Sequence, residues 1–516
     1  MANKNVYVIG IGGTGMRCIE NFIHLCAIGM FDNTTVHMLA VDTDKDNGNF
    51  RRLSRLVDLY GKLNGGRMKS NTLFSAQVEY YQFSPDYSKS DCTFNKVIDK
   101  LSTTNTIVDD DSKARLSDLV DLFIRPEVGE MSLQHGYRAQ TQMGSMLMYY
   151  AILAEAYKAK SQESVPLRKF LHAIVGEGGG AQIFVFGSVF GGTGASTIPV
   201  IPHAFAEAAK IMFGEGVNII DGNHFGSVVL TNYFQFNIAH QDKVVAKSDK
   251  FALNSQAALR FYKNDKTVNE VYKRLYLIGR EQMREVDSGG TGGASQCNPV
   301  DYLELMSAFA AYDFFKTCDT LGADPKAFEP NKENKFVFRA IESDKDNLSF
   351  GNFTDDADRF MQKLGIMTAA SLLNTAYDYF ENLRRDSVHF PEEDLKPLKS
   401  YFQLFGPEPY QNEQGIRCTG WLNQIFESAQ ADGFQQGAFF QPQLFNCETE
   451  KQFKDYKFNE RLYNMETPHK FSVGMLTNKF SVVKDTFKDV KSEDDSGLGS
   501  LIERTYLTLR KLYFNE

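Results

Sequence analysis

Two glycine-rich loops hold the residue types and spacings in this sequence that could do chemistry. The first, Gly10-Ile11-Gly12-Gly13-Thr14-Gly15, follows the short apolar run Val6-Tyr7-Val8-Ile9 and opens a helical pattern. Glycine tolerates positive φ and lets backbone N–H groups come close to a phosphate, and a helix N-terminus adds partial positive charge. Alone, this spacing is the GxGxxG dinucleotide fingerprint, with Asp42 at the end of the next strand suited to an NAD ribose, or it is a tight turn. The second loop, Gly191-Gly192-Thr193-Gly194-Ala195-Ser196-Thr197, also joins a strand pattern to a helix pattern. Neither loop contains the GK[ST] of a P-loop. Backbone amides, the Thr193 and Ser196 hydroxyls and a metal ion would have to neutralise the phosphates. Two such cradles on neighbouring strands of one sheet suit the two ends of a triphosphate.

Further polar residues fall near these loops. Asp42 and Asp44 follow the second strand, where an α/β sheet places its ligands; they either approach Mg²⁺ through water or form a polar exit from the strand. Arg138 is either a phosphate or ribose contact or a surface ion pair. The nine histidines are scattered, and none is placed for catalysis.

The elements that must position these residues follow an α/β alternation. A helix pattern from Thr14 to about Leu25 leads to a strand at Val36-His37-Met38-Leu39-Ala40-Val41. Residues 46–133 are polar, with the acid run Asp109-Asp110-Asp111, and read as an insertion or a set of surface helices. Order returns with a helix over 143–158 and strands at Ile183-Phe184-Val185-Phe186, Ser227-Val228-Val229-Leu230 and Leu275-Tyr276-Leu277-Ile278. A long apolar helix starts near Pro299. The expected architecture is a doubly wound parallel-sheet nucleotide-binding domain over 1–297, a central helix over 298–318, and a smaller α+β domain with helical extensions over 319–516 that includes the strand Phe336-Val337-Phe338.

Composition narrows the class. The chain has 516 residues, too many for one compact core. Its net charge of -9 gives no general reason to expect nucleic acid binding. Its seven cysteines contain no CxxC pair and no zinc-ligand spacing, so they read as reduced thiols. The start of the chain lacks a secretory pattern, and no stretch approaches a membrane span. A cytoplasmic protein with no membrane insertion is expected.

Several stretches resemble the tubulin/FtsZ superfamily. VIGIGGTG matches the first FtsZ loop, and GSVFGGTGASTIPVIPHAFAEAAK is similar to the tubulin signature loop and its helix. GSVVLTNYFQF, SQAALRFY and RLYLIGREQMREV resemble the strand, helix and strand that follow, and Gly136 to Gly144 looks like the ribose-side loop. The resemblance covers roughly residues 5–45 and 135–370. It implies a tubulin/FtsZ-like fold in which the first loop cradles the diphosphate and the second, Gly191 to Ser196, the γ-phosphate. The helix near Asn298 joins the two domains.

The departures are specific. The two loops lie farther apart in sequence than in FtsZ, hence the insertion at 46–133, which could serve as a partner surface. Arg17 stands where the family places a base-reading Asn, and Asn237 where FtsZ has a ribose-side Glu. The Asp-Asn pair that begins the central helix becomes Asp301-Tyr302, with Asn298 one turn earlier. Asp301 could accept from guanine N1–H and N2–H, and Tyr302 either stacks on the base or packs in the core; adenine stays open.

The family completes its site with acids from the next subunit, which position the attacking water and the metal. Asp355 and Asp358, in Asn352-Phe353-Thr354-Asp355-Asp356-Ala357-Asp358-Arg359, fall on those acids, and Thr354 with the following acids also reads as a helix N-cap. The cluster Glu342-Ser343-Asp344-Lys345-Asp346 is the alternative, or a solvated turn. The resemblance therefore implies a GTP/GDP- and Mg²⁺-binding GTPase that assembles head to tail into filaments. Two rival readings are a non-polymerising nucleotide switch of the same fold and an NAD-binding Rossmann oxidoreductase.

Overall fold

The computed structural model describes residues 4–66, 68–87, 92–103, 122, 124–133, 136–137, 140–235, 250–281, 283–285, 298–321, 336–341, 353, 356–406, 410–411, 417–430, 480–493 and 497–514. At its centre are seven strands: β1 (Lys4–Ile11), β2 (Thr34–Val41), β3 (Gln77–Phe83), β4 (Gln182–Ser188), β5 (His224–Leu230), β6 (Tyr272–Arg280) and β7 (Phe336–Ile341). All pair in parallel, in the order β3-β2-β1-β4-β5-β6-β7. The chain builds outward from β1 to β3, then returns to the other side of β1 and builds outward again from β4. The order thus reverses between β1 and β4, where Gly10 pairs with Phe186. Both glycine loops leave from the C-terminal ends of these two strands. In doubly wound sheets that crevice is where ligands bind.

Burial on both faces explains the apolar runs. Every residue of β4 is buried, as expected of a central parallel strand. Along β1 the side chains alternate: Val6 and Val8 enter the core on one face, Tyr7 and Ile9 the core on the other. The first face is covered by α1 (Gly12–Ala27), α2 (Gly48–Asn64) and the long helix α7 (Tyr302–Leu321). The second is covered by α3 (Thr141–Ala159), α4 (Pro166–Gly176) and α5 (Ile201–Phe213), with Tyr262 of α6 (Phe251–Asn264) joining them. No helix among the described residues is long and apolar enough to cross a membrane.

The structure corrects two boundaries. Residues 48–83 are not inserted into the sheet's connectivity: they form α2 and the edge strand β3, the outermost β-α-β unit on that side. β3 is an edge, and only Phe83 of its seven residues is fully buried, so QVEYYQF carries too many polar residues to read as a sheet strand. A strand expected in the C-terminal region also lies in the main sheet. Phe336–Ile341 is the seventh strand of the main sheet. The rest of the described C-terminal region is mainly helical: α8 (Ala357–Tyr377), α9 (Tyr379–Asp386), α10 (Lys396–Phe405), α11 (Trp421–Gln430), α12 (Phe480–Asp489) and α13 (Gly497–Phe514). These helices share one continuous core with α1, α2 and α7.

One joint shows how tightly this layer is tied to the first loop. Trp421 Nε1 donates to Asn21 Oδ1 at 2.7 Å, and its ring lies 4.6 Å from that of His24, so α11 grips α1. Farther along α11, Gln424 Oε1 accepts from Val300 N and Ser428 Oγ from Tyr302 N, satisfying amides at the start of α7.

Candidate functional site

The first loop turns where β1 meets α1. Gly12 has φ +70°, a left-handed conformation open to glycine. Gly10 and Gly15 serve a different need. A methyl on Gly10 would lie 2.6 Å from Gly15 O, and one on Gly15 would lie 2.7 Å from Phe186 O, so these two glycines let α1 pack directly on β1 and β4. The cap position, Ile11, offers no side-chain acceptor to the first turn of α1.

The second loop faces the first. A methyl on Gly12 would sit 3.5 Å from Thr193 Cβ and 3.8 Å from Gly194 N. Gly136, at φ +88°, closes a third side: a methyl there would lie 3.2 Å from Thr43 Oγ1 and 3.7 Å from Thr193 Oγ1. The exits of β1, β2 and β4 and the Gly136 turn thus approach one another at the C-terminal edge of the sheet, with no Cβ at Gly12 and Gly136. Thr193 is half-buried, and the short helix that contains it (Gly192–Thr197) also lacks a side-chain cap. Ser196 is fully buried, and its hydroxyl donates to Thr193 O at 3.0 Å, so it shapes the loop from beneath. Ala195 is buried, and its carbonyl accepts from Tyr262. Gly194 packs against the backbone of Ser188, and Gly191 faces Ser188 Oγ.

On the β2 side, Asp42 is buried. Its Oδ1 accepts from Thr43 N at 2.7 Å and Asp44 N at 3.4 Å, and its Oδ2 from Asn47 Nδ2 at 3.1 Å. Burial, with the nearby Asp44 charge, pushes its pKa up to about 7 against the opposing pull of the Thr43 and Asp44 N–H groups. Asp44 is also buried, and its Oδ1 accepts from Asp46 N at 3.1 Å. Asn47 caps α2 by accepting from Asn49 N at 2.9 Å. Two neighbouring buried carboxylates, one of them held back from ionising, fit a hard divalent cation that takes its other ligands from phosphate and water. No group of three or more metal-ligating side chains occurs among the described residues.

Beneath the first loop lies a buried charge network. Arg17 Nε bonds Glu304 Oε1 at 2.7 Å, while its second nitrogen, NH2, reaches Tyr233 OH at 3.0 Å and Thr14 Oγ1 at 3.3 Å. Tyr233 OH in turn donates to Glu304. Burial works against the guanidinium charge, but Glu304 and Tyr233 outweigh it and hold Arg17 protonated. Burial raises the Glu304 pKa, against the pull of Arg17.

Asp301 and Tyr302, set against a base in the sequence reading, are committed elsewhere. Asp301 caps α7: its Oδ1 accepts from Leu303 N at 2.9 Å and from Arg280 at 2.7 Å, and Arg284 lies 3.7 Å from Oδ2. Glu304 Oε2 returns a bond from Asp301 N at 2.8 Å, completing a capping box. Tyr302 has no exposed surface and packs in the core, the second of its two readings. Asn298 lies against α2, where its carbonyl accepts from Arg52 at 2.6 Å.

Arg138, Asn237 and Asp355 lie outside the described residues. Asp358 falls in the first turn of α8. The cap of that helix is Asp356 rather than Thr354. Its carboxylate accepts from Tyr312 at 2.7 Å and pairs with Lys316 at 2.6 Å, tying α8 to α7.

The structure therefore brings together Gly12, Gly13, Thr14, Arg17, Asp42, Thr43, Asp44, Gly136 and Thr193. The sequence reading missed Glu304, Tyr233, Asn47 and Asn49. Asp301-x-x-Glu304 and Asn47 before an amphipathic run were available cap signals; Tyr233 carried none. No protein-family model matches the chain, and no curated protein matches it.

Proposed function

We propose that the cleft between β1 and β4 binds the phosphates of a purine nucleoside triphosphate, GTP with Mg²⁺, and that this chain is a tubulin/FtsZ-like nucleotidase. The observation that carries the reading is the facing of Gly12 and Thr193 across the sheet's switch point, with Gly136 closing the third side. Phosphate oxygens need close approach to backbone amides, and Cβ-free walls at helix starts supply it. The first loop takes the diphosphate end and Thr193 the γ-phosphate end. Asp42 and Asp44 hold the cation, which offsets phosphate charge in the absence of a P-loop lysine. Turnover uses Asp355 and Asp358 of the next subunit in a head-to-tail stack, a contact that propagates as a filament.

The NAD reading has two observations in its favour: the strand order and the place of Asp42 are those of a dinucleotide fold. A second glycine loop opposite the first disfavours it, since a dinucleotide has one pyrophosphate and needs one cradle. Acid extraction of the purified protein followed by anion-exchange chromatography identifies any bound nucleotide. Sedimentation and phosphate release with Mg²⁺-GTP and Mg²⁺-ATP then test assembly and turnover. Recovery of NAD, or no pelleting and no phosphate release with either triphosphate, removes the cytoskeletal reading.

A further inference from the structure

We propose that Arg17 is the fixed cationic donor of this phosphate site, held from beneath by Glu304 and Tyr233 so that its free nitrogen faces the first glycine loop. The proposal rests on reading the cleft as a phosphate site and names the group that stands in for the missing lysine.

Arg17 is 97 % enclosed (3 % exposed), yet only two of its three guanidinium nitrogens are spent on the protein. Nε is fixed by Glu304, and NH2 by Tyr233 and Thr14. The remaining nitrogen, NH1, has no hydrogen-bond partner among the described residues and points at the loop: a methyl on Gly13 would lie 3.5 Å from it. The other two atoms nearest that point are also amide nitrogens, Asn49 Nδ2 at 3.0 Å and Asn47 Nδ2 at 3.9 Å. Asn49 Nδ2 donates to Asn47 Oδ1 at 2.9 Å and Asn47 Nδ2 to Asp42, so Arg17 NH1 is the charged donor left facing the first turn of a sixteen-residue helix whose cap residue supplies no side-chain acceptor. Oxygen acceptors bearing negative charge satisfy such a corner. Two acids bond this donor group: Glu304, which holds Arg17 from beneath, and Asp42, which accepts from Asn47 and which a cation at Asp42 and Asp44 would screen from a phosphate.

An arginine whose only task was to pair with Glu304 would gain nothing from aiming its third nitrogen at a ligand loop. The anchoring has a further effect. Guanidinium donors fixed before the ligand arrives lose little rotamer freedom on binding, and hydrogen bonds between ionised partners are the strong ones. Tyr233 acts through Arg17 and is a positioning residue.

Replacing Arg17 alone would strand a buried carboxylate, so the main variant is the double substitution Arg17→Met/Glu304→Gln, which removes both charges and keeps an acceptor for Asp301 N. Calorimetric titration with Mg²⁺-GTP, Mg²⁺-GDP, Mg²⁺-ATP and guanosine is compared with wild type, beside apo melting curves. GTP, GDP and ATP should each bind about 10- to 100-fold more weakly, the range of one lost hydrogen bond to a charged group. The GTP-to-ATP preference and guanosine binding should not change. Tyr233→Phe, which keeps every charge, should weaken the same three nucleotides by about 2- to 10-fold. It keeps the test open if the double variant does not fold. Unchanged triphosphate affinity in both variants would overturn the proposal, and so would a loss confined to guanine ligands, which would make Arg17 a base reader. Failure of the wild-type chain to bind any triphosphate is a different result and removes the phosphate site itself.

Discussion

Gly12→Ala separates the cleft from the fold that builds it. Gly12 sits at φ +70°, where an L-residue costs roughly 1–2 kcal/mol. Its new methyl would meet Thr193 Cβ at 3.5 Å, an ordinary contact, so nothing in the protein has to move. The variant should fold, with stability lower by about that strain. The methyl would nevertheless stand between the two loops, at the proposed phosphate position. Crowding a close-packed site costs about 1–3 kcal/mol, or roughly 5- to 150-fold in affinity for Mg²⁺-GTP. Gly15→Ala is the control. Its methyl would lie 2.7 Å from the backbone of Gly10 and of Phe186, so it should damage folding itself. Urea unfolding and calorimetric titration on the same preparations measure both quantities. Full GTP affinity in folded Gly12→Ala protein would show that the space between the loops is not the phosphate site.

Three further outcomes are expected. Asp42 has a folded pKa raised to about 7 from an unfolded value near 3.9, so the native state holds a proton that the unfolded chain releases; stability from this group is greatest below about pH 4, falls as pH rises to about 7 and is flat above, by up to about 4 kcal/mol in all. Asp42→Asn should remove that fall from the difference between urea unfolding at pH 5 and pH 8, and an unaltered difference would refute the assignment. Glu304→Ala leaves the buried Arg17 guanidinium without its carboxylate and should cost about 3–5 kcal/mol by urea unfolding, against less than 1 kcal/mol if the pair were solvated. Asp358→Ala should bind Mg²⁺-GTP normally, lose phosphate release, and poison wild-type turnover when mixed; preserved turnover with a lower melting point assigns it to the first turn of α8 instead.

Much of the sheet was legible because parallel strands buried on both faces are written as short, mostly apolar runs: 183–186, 227–230 and 275–278 all fall inside the observed strands. The two glycine loops were legible because strand-to-helix turns with a positive φ or a close backbone contact leave few residue choices. β3 was not, since an edge strand half open to solvent loses the apolar run that marks its neighbours. The C-terminal helices were read as part of a separate domain because sequence gives no register for packing across some 400 residues, such as Trp421 on Asn21. The roles of Asp301 and Tyr302 turned on tertiary partners: Arg280 and the capping box draw the acid away from the cleft, and the tyrosine fills the core. Arg17 looked like a substitution at a base-reading position, and its meaning came only from Glu304, 287 residues away.

Calorimetric titration of the wild-type chain with Mg²⁺-GTP, set beside the same titration with NAD, decides whether the switch-point cleft is a triphosphate site. Saturable binding of one GTP per chain, weakened in Gly12→Ala and absent with NAD, is the predicted result. Saturable NAD binding without GTP binding would contradict it and return the fold to the dinucleotide class.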